Sequence, residues 1–580
     1  MWNFEGGQRN AVRHFTAAVP VTTMGSNTAL RLRRSAAELH ALAQVEREIR
    51  AADSKGRSRY LRDFADAFRS YQRVLTAPEL QHALRSSDLL LVADYHALPA
   101  SQRYAGTLVE FLSRSGRPVV LALEAIFARH QHVLEQWMRG TIAEDDLRER
   151  IRFDLDWGYA WQPYRELLTT ARRHAVGIYG LDCMPHSDLR RIAARDRHAA
   201  SKLAEIRERH PGAAIVALFG ESHLAPNHLP ALLRVAAPCD RTLTVLQNVD
   251  TLYWRAAGEI CDRVNAVRVS DDALCVFTST PLEKYESYRL CIEGWRRQGS
   301  AAPDLAPSVY NLIDALLRFL NINKYSASNG VQPKFLVDML PDVWCRSSEE
   351  QLERLLLRKG VAESEVRPIL AQIEARGACH VPSVNAIFAS SFQMEFGAEE
   401  AARFVHHACQ GTLLRSHDPE TLAPEDRFYS RVLREALAFF GSRVLYPARA
   451  PARESDLYVL YSQPREAIEE QTIYSYREYM EMIDFLVLHQ DFEANQRLYR
   501  HAPELIRTGV HYPGDKFQFV TEKLGQMLGN QLYEAYLSGR IAKRFLRSLF
   551  MRKLERPGAA RAIYHAAARK IARAGRRRVN

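Results

Sequence analysis

Hydrophobic positions along the chain change their period twice. From about Thr28 to Ser86 they recur every three to four residues. Leu30, Leu32, Leu39, Leu42, Val45 and Ile49 sit among Arg and Glu, and a second run continues through Tyr60, Phe64, Phe68 and Val74. That period predicts amphipathic helices that pack onto the next segment of the chain. Residues 1–26 read as a flexible start. The pattern then becomes short, unbroken apolar runs at Leu89–Val92, Val119–Leu123, Ile178–Leu181, Ala214–Phe219, Leu243–Leu246 and Leu274–Phe277. Runs without polar alternation suit strands buried on both faces of a parallel sheet. Between them lie stretches long enough for crossover helices, at 99–114, 127–173, 187–209 and 227–236. Strand and helix in alternation predict an α/β fold.

Past Pro281 the alternation stops. Residues 306–323, 348–358, 363–376, 398–413, 426–440, 464–488, 515–539 and 541–555 all read as helices, without a fixed repeat. The expected fold class is therefore α/β, a mostly parallel sheet with flanking helices, plus N-terminal helices and a mostly helical C-terminal region. The expected units are 1–84, an N-terminal flexible segment and helices; 85–280, the α/β domain; 281–540, the helical region; and 541–580, a basic helical tail.

Composition changes this picture little. With 47% hydrophobic and 25% charged residues, the chain has the make-up of folded domains and not of a disordered one. The net charge of +11 is local: residues 541–580 hold thirteen Lys/Arg, ending in Arg576, Arg577 and Arg578, against Glu555 alone, so the remainder is near neutral. This reads as a C-terminal appendage that can meet an acidic partner or an anionic membrane surface. No nucleic-acid motif accompanies it. Eight cysteines without a CxxC pair point to free thiols in a reducing compartment. No apolar stretch reaches transmembrane length, and no signal peptide or lipobox-like leader is visible, so the expected location is cytoplasmic.

Candidate chemistry sits where the apolar runs end. The first ends in Asp94-Tyr95-His96, the second in Glu124, the third in Asp182-Cys183, the fourth in Gly220-Glu221-Ser222-His223 and the fifth in Gln247-Asn248. Loops at the carboxyl ends of parallel strands form the crevice where ligands bind, so Asp94, His96, Glu124 and His223 are expected to converge. His96, Glu124 and His223 have the donor types of a divalent-metal site. Asp94, Glu124 and Glu221 are the candidate catalytic carboxylates. Gly220 is expected to permit a tight turn into a helix start whose N–H groups favour an anion. Asp182 is a candidate to orient a nearby Arg, and Arg195 and Asp196, being adjacent on a helix, are expected to pair elsewhere. His406, His407 and Cys409 on a helix, and Cys379-His380 in an expected loop, lack metal-site spacing. Phosphate-loop, GxSxG and dinucleotide motifs are absent.

The segments Leu91–His96, Leu121–Glu124, Trp161–Tyr164, Arg195–His198 and Leu218–Leu224, in that order, resemble the ChaN-like haem-binding uptake domain of the Tiki superfamily. That superfamily includes erythromycin esterase-like and TraB-type proteins. The resemblance covers about residues 85–280 and implies an α/β fold with haem binding linked to iron handling, or metal-dependent hydrolysis in relatives. Where the family has Gly-Glu-x-His followed by Asp-Asn, this chain has Ala93-Asp94-Tyr95-His96-Ala97-Leu98.

Three functions are expected on these grounds. In the first the cofactor is haem, with Tyr95, His96 and His223 as candidate ligands and Trp161 and Tyr164, beside Trp157 and Tyr159, walling the flat ring. In the second a divalent metal ion on His96, Glu124 and His223 activates water for ester or peptide hydrolysis, with Asp94 or Glu221 as base. In the third the site is degenerate and the protein is a non-catalytic scaffold.

Overall fold

A computed structural model of the chain describes residues 30–31, 35–52, 59–183, 192–238, 241–259, 263–264, 266–297, 303–322, 339–346, 348–414, 423–472, 474–494, 510–554 and 556–576. The expected flexible start (1–26), Cys239, Cys261, Arg577 and Arg578 lie outside these residues. The first strands in chain order are β1 (Leu30–Arg31), β2 (Arg73–Leu75), β3 (Leu89–Asp94), β4 (Val119–Phe127), β5 (Gly177–Asp182) and β6 (Ala214–Gly220). Then come β7 (Thr242–Gln247), β8 (Arg263–Val264), β9 (Ala266–Ser270) and β10 (Ala273–Val276). β1 and β8 form a two-residue antiparallel ladder. The others make one eight-stranded sheet in the order β2-β9-β10-β7-β3-β6-β4-β5. From β10 to β5 all neighbours are parallel, while β9 runs antiparallel to both β10 and β2.

Every apolar run expected to be a strand is one, and the reason is visible in the packing. Alternate side chains of a strand point to opposite faces. Leu90, Val92, Leu121, Val216 and Val245 enter a core with helices Pro99–Arg114 and Trp161–His174. Leu89, Leu91, Val120, Ile215 and Leu246 enter a second core with helices Ile192–Arg209 and Asp250–Glu259. Both faces being covered, no polar alternation is required.

Two expectations near the N-terminus change. The helical run through Val74 ends at Ala67, and Val74 lies in β2, at the sheet edge. Helix Ala36–Ala52 turns from the sheet to the C-terminal half: Ala41 and Val45 share a core with Leu312 and Leu316, and Ser35 donates to the Val444 carbonyl at 2.6 Å. Helix Arg59–Ala67 joins one face of the sheet through Phe64, and helix Ala77–Ser86 joins the other through Leu80 and Leu84.

The C-terminal region is mostly helical, as expected, but it also contains a three-stranded sheet of β11 (Asp342–Cys345), β12 (Ala378–Val381) and β13 (Ala386–Ala389), ordered β11-β13-β12. Cys379 and His380, expected in a loop, are therefore on β12. Helices Glu363–Arg376 and Met394–Gln410 pack on β12 and Ala306–Leu320 on β11, and Pro424–Leu445 packs between Met394–Gln410 and Gly514–Leu537. The basic tail is not an appendage. Its helix Ala559–Arg576 buries Ala560, Ile563, Tyr564 and Ala567 in the same core. The described cysteines are free thiols, and no described helix is long and apolar enough to cross a membrane.

Candidate functional site

The carboxyl ends of β3, β6 and β4, adjacent in the sheet, bring Asp94, His96, Glu124 and His223 together. Glu124 is the centre. It comes just after the last regular pair of β4 with β5, where the ladder shifts between Leu123 and Phe127. Gly180 makes this crossing possible, because a Cβ there would fall 2.7 Å from the carbonyl oxygens of Ile126 and Phe127. One Glu124 oxygen accepts from Arg195 Nη2 at 2.6 Å and the other from the Gly220 N–H at 2.5 Å. The anion expected at the turn after β6 is thus the protein's own Glu124. Gly220 is needed for close approach and not for a left-handed turn: its φ is −51°, and a Cβ would lie 3.1 Å from Glu124 Oε2 and 3.2 Å from His96 Nε2.

Two histidines face this carboxylate, each oriented by an aspartate. His96 Nδ1 is 3.0 Å from Asp94 Oδ2, and its Nε2 is 3.9 Å from Glu124 Oε2. His223 Nδ1 is 2.5 Å from Asp196 Oδ1, and its Nε2 is 3.8 Å from Glu124 Oε1. A carboxylate on Nδ1 fixes the tautomer and the ring plane, so chemistry falls to Nε2. Asp94 is held in turn by Tyr164 Oη, donating at 2.7 Å, and by the Gln102 amide. Asp196 accepts from Tyr60 Oη at 2.9 Å. Arg195 bonds Asp182 at 3.0 and 2.8 Å while also holding Glu124. The adjacent pair Arg195-Asp196 therefore splits as expected, each residue serving a different part of one site.

Burial and charge compete here. For His96, burial lowers the pKa, but Asp94 and then Glu124 more than reverse it, so the net shift is upward. Burial pushes Asp182 up, with Arg195 opposing. Tyr164 is raised by burial and by Asp94, so its phenol stays protonated and donating. Tyr164→Phe is expected to cost about 1.5–3 kcal/mol, the worth of a hydrogen bond to a buried charge. Amide exchange in β3 should speed accordingly; unchanged protection there would show that Asp94 does not depend on this phenol.

Tyr95 and Glu221 stand to one side. Glu221 is 3.3 Å from Lys284 Nζ, which lies 4.5 Å from the Tyr95 ring centroid. Burial raises the Tyr95 pKa and Glu221 adds to the rise. Glu221, expected as a base, is thus paired with a lysine. Lys284 and Tyr288 come from helix Pro281–Arg296, beyond the boundary expected at 280. Aromatic rings then frame His96: Trp157 at 4.5 Å and Tyr159 at 5.1 Å. Tyr159 meets Trp295, Trp295 meets Tyr288, and Tyr288 meets Tyr95. Trp161 is set behind this wall. It packs on Phe153 and its indole N–H reaches Glu144 at 3.4 Å, whereas Tyr164, expected with it to wall the ring, bonds Asp94. Gln247 and Asn248 support the site from outside: Gln247 donates to the Ala93 and Ser101 carbonyls, and Asn248 Oδ1 accepts from the Thr278 and Ser279 N–H groups while its carbonyl accepts from Lys284 at 3.3 Å.

The divalent-metal set fits poorly. His96, Glu124 and His223 meet, but both Glu124 oxygens are engaged, one by a guanidinium, and among the described residues no group of three His, Cys, Asp or Glu is arranged to hold a metal ion. Haem fits better in the chemistry of the donor set, which offers Tyr95 and His96 beside a run of aromatic rings.

Residues 80–215 match a family described as "Haem-binding uptake, Tiki superfamily, ChaN", so this part of the chain is a ChaN-like domain. The match holds Asp94, His96, Glu124 and Arg195 and ends before His223. Among solved structures the chain is similar to "Cofacial heme binding to ChaN of Campylobacter jejuni", at 14% identity and a TM-score of 0.25, over 34% of this chain and 91% of that one. No curated protein matches.

Proposed function

We propose that the ChaN-like domain binds haem or a related metalloporphyrin at the aromatic face beside His96, as part of iron handling. The observation that supports this reading is the set of rings around His96. Trp157 and Tyr159 flank it, and Trp295, 44% exposed, and Tyr288 extend the apolar face to Tyr95. Such a face suits a porphyrin, and Tyr or His oxygen and nitrogen donors suit its iron. The family match over residues 80–215 agrees with it. Bound haem would supply redox or ligand chemistry at iron, and the protein's part is to stack the ring and hold Tyr95 and His96 in place through Lys284 and Asp94. Titrating the full chain with haemin is expected to give a saturable Soret shift. That shift should weaken by about tenfold or more in Tyr95→Phe/His96→Ala, the effect of losing a metal ligand or its orienting shell. A wild-type spectrum equal to free haemin would end this reading.

One observation favours a second reading. The pairs Asp94–His96 and Asp196–His223 aim two oriented imidazoles at one carboxylate. This is an arrangement for proton transfer, one ring as base and the other as acid, in ester or peptide hydrolysis. It would be supported if turnover of an activated ester vanished in His223→Gln while haemin binding persisted.

A further inference from the structure

The C-terminal half holds a cleft of about 670 Å³ between β12 and helices Glu363–Arg376, Met394–Gln410, Pro424–Leu445 and Gly514–Leu537. That size suits a small organic ligand. One wall is basic. Arg427, Arg431 and Arg434 line it at four- and three-residue spacing, the spacing that places side chains on one helix face. Arg427 Nε, Arg431 Nε and Ser430 Oγ are buried atoms with no hydrogen-bond partner among the described residues. The lining from β12 and helix Met394–Gln410 includes His380, 6% exposed, with neither ring nitrogen bonded among the described residues, and His406, 1% exposed, with Nε2 likewise unbonded.

Buried polar atoms are normally satisfied, and each one left without a partner costs about 1–3 kcal/mol. Six such atoms on residues that line one cleft call for a ligand rich in acceptors. The protein's own carboxylates do not meet this need. Glu435 lines the cleft but is held by Arg403 at 2.8 and 2.6 Å, and Glu365, also in the lining, is exposed; neither bonds Arg427 Nε or Arg431 Nε. The imidazoles add no positive charge at neutral pH: burial, then Arg403, brings His380 to about 3, and burial, then Arg434, brings His406 to about 3. They serve as hydrogen-bonding groups. Phe517, with Arg427 over its ring at 5.2 Å, gives the cleft an apolar side.

We propose that this cleft is a binding site for a small organic oxyanion, a phosphate ester or a polycarboxylate, whose charged end lies on Arg427, Ser430 and Arg431 and whose other acceptors reach His380 and His406. Guanidinium forks match phosphate and carboxylate oxygens in shape as well as charge. The site is independent of the ChaN-like domain. The test is calorimetric titration of the full chain at low salt with glycerol 3-phosphate and, separately, with citrate. Saturable binding of either one is expected, and which one binds identifies the anion. Affinity should fall by about tenfold or more in Arg427→Gln/Arg431→Gln, the cost of removing a buried charged partner, and stay unchanged in His96→Ala. In the unmutated chain, the ring signals of His380 and His406 should move on titration while those of His96 stay. No saturable binding of either anion, full affinity in the double variant, or unmoved His380 and His406 signals would each overturn the proposal.

Discussion

Arg195→Met is expected to destabilise the ChaN-like domain by about 3–5 kcal/mol, the cost of breaking a buried ion pair from one side. Arg195 holds two carboxylates that are themselves almost fully buried, Glu124 at 2% and Asp182 at 1% exposure. Without the guanidinium, neither can stay ionised cheaply in that position. Burial already pushes Asp182 upward and Arg195 opposes that push, so the variant should carry a still higher folded-state pKa. A carboxyl whose folded pKa exceeds its unfolded value contributes stability below the unfolded value and loses it as pH rises through the folded one. The variant should therefore melt closest to the wild type in acid and fall away toward neutral pH. Amide protection should be lost first in β4, β5 and β6, where these side chains anchor strand ends. Adding Glu124→Gln and Asp182→Asn to Arg195→Met should recover much of the loss, because neutral amides need no counter-ion. Arg195→Lys should not rescue, since a single ammonium cannot span both carboxylates as the fork does. Equal melting of Arg195→Met and wild type at neutral pH would show that the Glu124–Arg195–Asp182 cluster carries no weight.

The core of that cluster is legible in the chain, and the reason is geometric. A strand buried on both faces must be apolar until it leaves the sheet, so the first polar residue marks the edge where ligands gather. Asp94 and Glu124 stand out in this way, and His223, three residues past the end of β6, meets Glu124 while the first polar residue there, Glu221, pairs with Lys284. Strands without that constraint are hard to see. β9 carries Arg268 and lies next to the edge strand β2, and the strands of the small sheet have four residues each, too few for a period to emerge. The aromatic segment from Trp157 to Tyr164 reads as one wall, but folding divides it: Trp157 and Tyr164 meet each other near the site while Trp161 packs behind Phe153. Lys284 and Tyr288 escape sequence reasoning for a different reason. Their helix comes after the last strand of the sheet and folds back over the site, which no local pattern reveals; the four-residue spacing of the two side chains is the available signal. His380 and His406 obey no spacing rule because β12 and a separate helix bring them to one cleft.

The second large effect is expected where helix Gly514–Leu537 crosses helix Pro424–Leu445. Gly525 and Gly529 face the crossing, four residues apart, as small residues do when two helix backbones approach closely. A Cβ on Gly525 would meet the Glu435 side chain and lie 2.8 Å from the Val432 carbonyl oxygen. One on Gly529 would press on the Ala436 carbonyl oxygen and lie 3.0 Å from Phe439 Cβ and 3.1 Å from the Phe440 nitrogen. These neighbours are mostly backbone of a buried helix, so they cannot rotate away. Gly529→Val should therefore cost about 3 kcal/mol or more, at the upper end for overpacking. Gly294→Ala tests whether the effect is steric. It lies within helix Pro281–Arg296 with open space where its Cβ would go, so it should gain about 0.5–1 kcal/mol from helix propensity alone. Thermal melting and amide exchange of both variants would separate the two terms. If Gly529→Val melted with the wild type, the two helices would have to sit further apart than this geometry places them. Because Glu435 is on the crossing helix and pairs with Arg403, separation there should also disturb the wall of the anion cleft. Gly529→Val should accordingly weaken anion binding in the same calorimetric titration.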